Sequence, residues 1–282
     1  MTTNEPRFGL FLAQHWHTWD QIVEEFHMAD ELGFDHAWGH DHFLSTENGV
    51  EGDMLEAWSV LAGVAALTSR VRLGILVTGN TYRHPSMLAK QAATVDHISN
   101  GRLILGLGAG WHEQEHRMFG YDFPSAKERV DRFEEAVQVL NLLMQEEKPS
   151  FAGNYYPLEE AVFVPKPVQR PRIPILVGTS GPRMMGILAR YADIWDTSTP
   201  NATAENVALL ESKCREAGRD PSEVRRSIHG GAEPMKSEAA YGEFVERYRA
   251  LGFTDFITSL PGPEHTDTVR RIATDVVPAL RG

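Results

Sequence analysis

The chain has 282 residues, of which 42% are hydrophobic and 23% charged, and its formal net charge is −12 from 39 acidic and 27 basic residues. That composition suits a folded enzyme-sized domain, while so acidic a chain, with no basic run longer than Arg225-Arg226 or Arg270-Arg271, argues against nucleic acid or an anionic membrane as partner. Cys214 is the sole cysteine, which rules out an internal disulfide, and neither Met1-Thr2-Thr3-Asn4-Glu5-Pro6 nor any apolar run reads as a leader or a membrane span, so a cytoplasmic location is expected.

Short apolar runs then alternate with amphipathic stretches, the pattern of a parallel α/β protein. The first strand is expected over 8–13. Thr18-Trp19-Asp20-Gln21 opens a helix, with Thr18 as cap and Gln21 reaching back. Ile22, Phe26, Ala29 and Leu32 form its apolar stripe and Gly33 its stop. Strands follow at 36–39, 72–77 and 103–107, with helical patterns over 57–68 and 86–98. The clearest helix carries Val130, Phe133, Val137, Leu140 and Met144 on one face. Strands at 173–178, 194–197, 226–229 and 255–259 alternate with helices at 183–191, 203–217, 237–251 and 266–279. Eight strand–helix pairs predict one domain over 1–282, a single (β/α)8 TIM barrel, with an open doubly wound sheet as the alternative. The proline-rich stretch 149–172 breaks the rhythm. It is expected to be a hairpin or irregular insertion before the fifth strand, lying over one barrel mouth.

In such a barrel the active site lies at the C-terminal ends of the strands. The first strand ends in Gln14-His15-Trp16-His17 and the second in His40-Asp41-His42-Phe43. The third ends in Thr78-Gly79-Asn80, the fourth in Gly108-Ala109-Gly110-Trp111, the fifth in Gly178-Thr179-Ser180-Gly181-Pro182 and the sixth in Ser198-Thr199. Histidine and aspartate gather on the first two strands, glycine on the fourth and fifth. The pattern suits a ligand with its polyanionic end on the glycine loops and its reactive end near the histidines.

Gly178 to Pro182 is the strongest of these signals. Small residues lead from a strand into a helix opened by proline, where free N–H groups, the Thr179 and Ser180 hydroxyls and the charge of Arg183 can meet a phosphate; a tight turn with no ligand is the plainer reading. Gly106-Leu107-Gly108-Ala109-Gly110 begins like a dinucleotide fingerprint, but Trp111 stands where the motif has its third glycine. Its glycines suit either the approach of a ring system or close packing at the rim. The His15-x-His17 and His40-x-His42 pairs also resemble the way metal-dependent hydrolases present ligands, but the later strands lack the rest of the set and Asp255 stands at the wrong end of its strand. No metal is expected.

Taken together, Phe8-Gly9-Leu10-Phe11-Leu12, Glu31 to Trp38, Asp41-His42-Phe43, Thr68 to Gly74 and Tyr82-Arg83-His84-Pro85 resemble the bacterial-luciferase-like monooxygenase superfamily. The likeness is densest at Leu88 to Asp96 with Ser99 to Leu103, and it continues through Gly106 to Trp111, Gly178 to Arg183 and Ala189 to Asp193. The chain is most similar to the branch that uses coenzyme F420. The resemblance implies a closed barrel with a deazaflavin at its C-terminal mouth and a non-prolyl cis peptide at Leu76-Val77, beside Thr78 and Gly79. It implies that Asp41 and His42 flank the ring, with Gly108, Ala109 and Gly110 close by. Gly178, Thr179, Ser180 and Gly181 would bind the cofactor phosphate, and Gln114 would add a polar contact. His42 is the implied acid/base, since imidazole titrates near neutrality, with Asp41 tuning it; a ring that only hydrogen-bonds the cofactor is the plainer reading.

The implied function is F420-dependent hydride transfer at the deazaflavin C5 to or from a small organic substrate. A two-component monooxygenase using reduced FMN is the alternative, and a metal hydrolase or a non-catalytic flavin-binding protein the remainder. Gln14, His15 and Trp111 are expected in the substrate pocket. The sugar-phosphate dehydrogenase branch carries a glutamate at the position of Trp111, and Trp111, Trp16 and Trp38 suit either an apolar, aromatic pocket or the core. The resemblance also implies a homodimer built on the helices at 57–68 and 86–98, where Trp58 and Leu61 suit an interface or a core.

Overall fold

All strand pairs in the computed structural model are parallel, and the first and last close on each other to make a barrel. The structure describes residues 5–47 and 49–281; Met1 to Asn4, on which part of the leader reading rests, lie outside them. The strands are β1 (Arg7–Phe11), β2 (His36–Gly39), β3 (Arg72–Ile75), β4 (Thr78–Gly79), β5 (Leu103–Gly108), β6 (Ile175–Gly178), β7 (Ile194–Ser198), β8 (Arg225–His229) and β9 (Asp255–Ser259). β3 and β4 are two halves of the third barrel strand, interrupted by a cis Leu76-Val77 peptide, and both pair with β5. Eight barrel strands result, as the alternation of elements implied.

The outer ring contains α1 (Trp19–Glu31), α2 (Ala57–Leu67), α3 (Pro85–Ile98), α4 (Glu113–Phe119), α5 (Ala126–Gln145), α6 (Pro182–Tyr191), α7 (Ala204–Glu216), α8 (Glu238–Arg249), α9 (Thr266–Arg271) and α10 (Val277–Leu280). Thr18 and Gln21 form the expected reciprocal capping box on α1, a device worth about 1 kcal/mol. The final helical stretch is divided by a π segment at Ile272–Val276. Along each strand, side chains alternate between the helices and the barrel interior. Phe8 and Leu10 of β1 face the helices, with Leu105, Val177, Ile228 and Phe256. Trp38, Leu76, Ile104, Leu176, Ile194 and Ile257 fill the barrel itself. Its N-terminal end holds an ionic group in which Arg225 Nε lies 2.8 Å from Asp255 Oδ2 and His36 Nε2 lies 3.6 Å from Asp255 Oδ1.

Two expectations are corrected. The insertion at 149–172 is irregular apart from one antiparallel bridge, Phe151 to Leu158, and it packs along α3 and α5, with Gln169 bonding Arg72 and the Leu103 carbonyl at the N-terminal end of the barrel and Tyr156 against His84, instead of lying over one mouth alone. Glu135 of α5 accepts from the N–H groups of Asn154, Tyr155 and Tyr156, while Lys90 and His97 of α3 bond the carbonyls of Val164 and Lys166. The second correction is α4, absent from the sequence reading, which opens directly after β5 with Glu113 and Glu115 in its first turn and stops at Gly120 in the left-handed region.

Candidate active site

A cavity of about 320 Å³ opens at the C-terminal ends of β2 to β6. Its wall is made by His40, Asp41 and His42 after β2, by Leu76, Val77, Gly79 and Tyr82, by Gly108 to Trp111 after β5, and by Gly178, Thr179 and Met184. Three glycines here are spacers for the chain itself. A Cβ on Gly106 would lie 2.0 Å from the Ile75 carbonyl oxygen, and one on Gly108 would lie 2.6 Å from Val77 Cγ2. At Gly178 the distance to Val77 Cγ1 would be 3.2 Å. Val77 is thereby drawn in as a ridge between β5 and β6, and the wall opposite the histidines is bare backbone plus one branched side chain.

The centre of charge is Glu115 of α4, which is fully buried. Its Oε2 accepts from Tyr82 Oη at 2.6 Å and lies 2.7 Å from His42 Nδ1 and 3.2 Å from His112 Nδ1. Its Oε1 accepts from the N–H groups of Phe43 and Leu44. Burial alone would raise this carboxyl, but the bonds from His42 and Tyr82, the charge of His42 and the Phe43 N–H outweigh it and hold it at about 2. An ionised Glu115 beside His42 fixes that ring with its Nδ1 as the donor, so Nε2 is the nitrogen left for the cavity. His42, His112 and Glu115 also bring three ligand-type atoms within 4.8 Å of one another. Five donors already share the two carboxylate oxygens, however, and both imidazoles spend Nδ1 on the same one.

Asp41 is buried, but its carboxylate turns away from His42. Arg83 binds it at both oxygens, at 2.6 and 2.9 Å, and the Gly79 N–H donates to it at 2.8 Å. The carboxylate that meets His42 is Glu115, not the neighbour in sequence. Gln14 is likewise buried in a structural bond, bracketing the backbone of His40. His15 contacts His40 and lines a separate, larger cavity of about 940 Å³ between α1 and α9. Trp111 is in the cavity wall and 65% exposed, whereas Trp38 is core and Trp16 rests against Gly52. Trp58 and Leu61 are core as well.

At the fifth barrel strand, Thr179 Oγ1 accepts from the Gly181 N–H, α6 begins at Pro182 without a side-chain cap, and Ser180 is exposed. Arg183 is turned from this turn toward α5, where it pairs with Asp131 and Glu134. Gln114 is exposed and its amide reaches only the Met118 sulfur. Among the described residues, no helix is long and apolar enough to cross a membrane.

The luciferase-like monooxygenase family profile matches residues 3–271. The chain belongs to that family. Among its relatives, the F420-dependent glucose-6-phosphate dehydrogenase of Kineococcus radiotolerans is 38% identical over 90% of each chain. The F420-dependent hydroxymycolic acid dehydrogenase of Mycobacterium tuberculosis is 32% identical over 76% of this chain, which spans 59% of that relative's length. The match to the corresponding glucose-6-phosphate dehydrogenase of Amycolatopsis mediterranei, at 34% identity, spans 50% of that relative. An F420-dependent secondary alcohol dehydrogenase, solved with an F420-acetone adduct, shares the fold with a TM-score of 0.85 at 20% identity, covering 99% of this chain and 100% of the other.

Within this luciferase-like monooxygenase fold, Glu115, His112 and Tyr82 complete the site, and none of the three was expected in it from the strand ends. A signal was present. His112, Glu115, His116 and Phe119 recur at helical spacing and so share one face, whereas Gln114 is about 100° around the helix from Glu115 and faces outward.

Proposed function

We propose that this chain is an F420-dependent oxidoreductase acting on a small organic substrate, with the deazaflavin held at the mouth of the barrel. The carrying observation is the buried His42–Glu115 pair on the edge of a cavity whose far wall is glycine backbone and Val77. The F420-dependent relatives support the same reading. That wall, about 320 Å³ in front of it, suits a flat ring system. Gly108, Ala109, Gly110, Leu76, Val77 and Thr78 would border the ring, and Thr179, Ser180 and Gly181, with the uncapped start of α6, would hold the phosphate. When bound, the deazaflavin supplies or accepts a hydride at C5.

The protein's own task is the proton. With Nδ1 donating to Glu115, His42 presents Nε2 to the cavity, where it takes a proton from a substrate hydroxyl or returns one to a carbonyl oxygen. The carboxylate compensates the imidazolium charge that appears. Trp111 and Met184 make the remaining wall apolar, which suits an apolar alcohol or ketone. We take the enzyme to work in the cytoplasm as a homodimer. Leu67, Met87, Ile98, Val164 and Val168 are exposed on and beside α2 and α3, and sedimentation of Met87→Lys against the parent chain tests that face.

Binding of oxidised F420 and of FMN, followed by fluorescence quenching and calorimetry, tests the cofactor. F420 binding that Ser180→Asp weakens at least about tenfold, the scale of one misplaced charge at a helix start, is expected. A panel of secondary alcohols then identifies substrates. Tight FMN binding without F420 binding, with oxygen uptake on addition of reduced FMN, would instead make the protein a flavin monooxygenase.

A further inference from the structure

Two histidines line the cavity at the end of β2, and they are anchored on unlike partners. His42 rests on a carboxylate. His40 rests on another imidazole: its Nδ1 lies 3.0 Å from Nε2 of His15. The His40 ring also meets His42 edge-on, with centroids 4.2 Å apart, and Phe11 at 5.3 Å. Gln14 fixes the backbone from both sides, accepting from the His40 N–H at 3.0 Å and donating to its carbonyl at 2.7 Å. A side chain held this firmly, beside the proton-carrying group, has its remaining nitrogen, Nε2, free for a ligand.

The state of that nitrogen follows from the partners of His15. Nδ1 of His15 is buried and meets no partner. Were His40 the donor in the pair, a neutral His15 would carry its proton at Nδ1, as a buried N–H without an acceptor. With the proton at Nε2 of His15, the orphan is only a lone pair, which protein interiors tolerate better. Thr46 Oγ1, 3.4 Å from the same Nε2, can take a share of that N–H. His15 therefore donates to His40 Nδ1, and a neutral His40 carries its own proton at Nε2. Burial first, then the charges of His42 and His15, with a smaller contribution from His229 and opposed by Glu115, keep His40 neutral well below the ordinary imidazole range.

We propose that His40 is a neutral hydrogen-bond donor to the substrate oxygen, set in that tautomer by His15, while His42 exchanges the proton of the same oxygen. The assignment rests on the reading of this cavity as the reaction site, and it narrows the substrate class to compounds reacting at a carbonyl or a secondary hydroxyl. In the oxidation direction the O–H bond breaks and its proton forms a bond to His42 Nε2, while the hydride of the adjacent C–H bond would pass to the deazaflavin C5 of the proposed function and the carbonyl forms. His40 keeps its proton throughout and shortens its bond as the oxygen gains negative charge. In the reduction direction the carbonyl carbon would receive a hydride from the reduced deazaflavin, and His42 returns the proton to that oxygen. His15 is a positioning residue, acting only through His40.

The tautomer can be read without cofactor or substrate, from long-range ¹H–¹⁵N spectra of histidine-labelled protein, with His40→Gln assigning the signals. The expected pattern is neutral His40 protonated at Nε2 from about pH 8 down through the usual imidazole midpoint. His15→Phe should shift His40 toward Nδ1 protonation, and His15→Gln, whose amide can replace the lost donor, should restore it. With an alcohol found in the screen, His40→Phe should lower kcat about 10²-fold with a smaller change in KM, the loss typical of one oxyanion donor. Nδ1-protonated or charged His40 at pH 6, or a tautomer indifferent to His15→Phe, overturns the assignment whether or not F420 binds. The expected tautomer in a protein that fails to bind F420 counts against the cofactor reading alone.

Discussion

His42 Nδ1 lies 2.7 Å from Glu115 Oε2, and the carboxylate has no exposure to solvent. An imidazole in that position gains a counter-charge that cannot be screened away by water, and its free nitrogen is aimed by the bond on the other side of the ring. Seventy-three residues separate the two in sequence. Their meeting depends on α4 folding back across the end of β2.

His42→Gln is therefore expected to retain F420 binding within a few-fold and to lose roughly 10²- to 10⁴-fold in kcat, the usual contribution of a positioned proton carrier. Glu115→Gln should reduce kcat as well, because a carboxamide has one acceptor oxygen for five donors and no charge to offset an imidazolium. Steady-state rates alongside cofactor titration separate the two effects. Equal rates in His42→Gln and the parent would remove His42 from the chemistry.

Asp41→Asn should act on stability more than on the reaction. Arg83, bidentate on Asp41 and 3.3 Å from Glu56 at the start of α2, would be left without its main partner in a mostly buried setting. Breaking such a pair from one side costs about 3 kcal/mol, which a urea midpoint would register.

Gly108→Ala tests the close approach of β5 to Val77. The added Cβ would sit 2.6 Å from Val77 Cγ2, so the ridge must move into the cavity. Overpacking of this kind costs about 1–3 kcal/mol, and a cofactor titration should show binding weakened by at least about tenfold.

Two groups in the barrel, the buried Asp196 and the half-buried His229, give opposing pH dependences. Burial raises Asp196 to about 7, so the folded chain holds a proton there that the unfolded chain has lost, and stability falls as pH rises from about 4 to about 7. Burial lowers His229 to about 4, so the unfolded chain binds the extra proton, and stability rises with pH between about 4 and 6.5. Near pH 5.5 the two largely cancel. Asp196→Asn should unmask a rise with pH and His229→Asn a fall, each up to about 1.4 kcal/mol per pH unit, read from denaturation midpoints across that range.

Much of this protein is determined by the order of its residues alone. The barrel was legible because strand and helix periodicities are local: Phe8 and Leu10 face the helices, and Ile22, Phe26 and Ala29 form a stripe, whatever lies elsewhere in the chain. The capping box at Thr18, the stop at Gly33, the strand ends that carry His42 and Gly178, and the irregularity at Leu76-Val77 belong to the same class of short-range or motif-borne signal. Which groups meet was decided only by the tertiary structure. Asp41 is one residue from His42 yet bonds Arg83, because successive residues leaving a strand point to opposite sides. Glu115 reaches His42 because a seven-residue helix turns its buried face inward, and Gln114, one position away, is rotated out of the site. His15 and His40 come together because β1 and β2 are neighbours in register, from Gly9 opposite His36 to Phe11 opposite Trp38. Hydrogen bonds and ion pairs act over about 3 Å, and chain separation carries no information at that range until the barrel has closed.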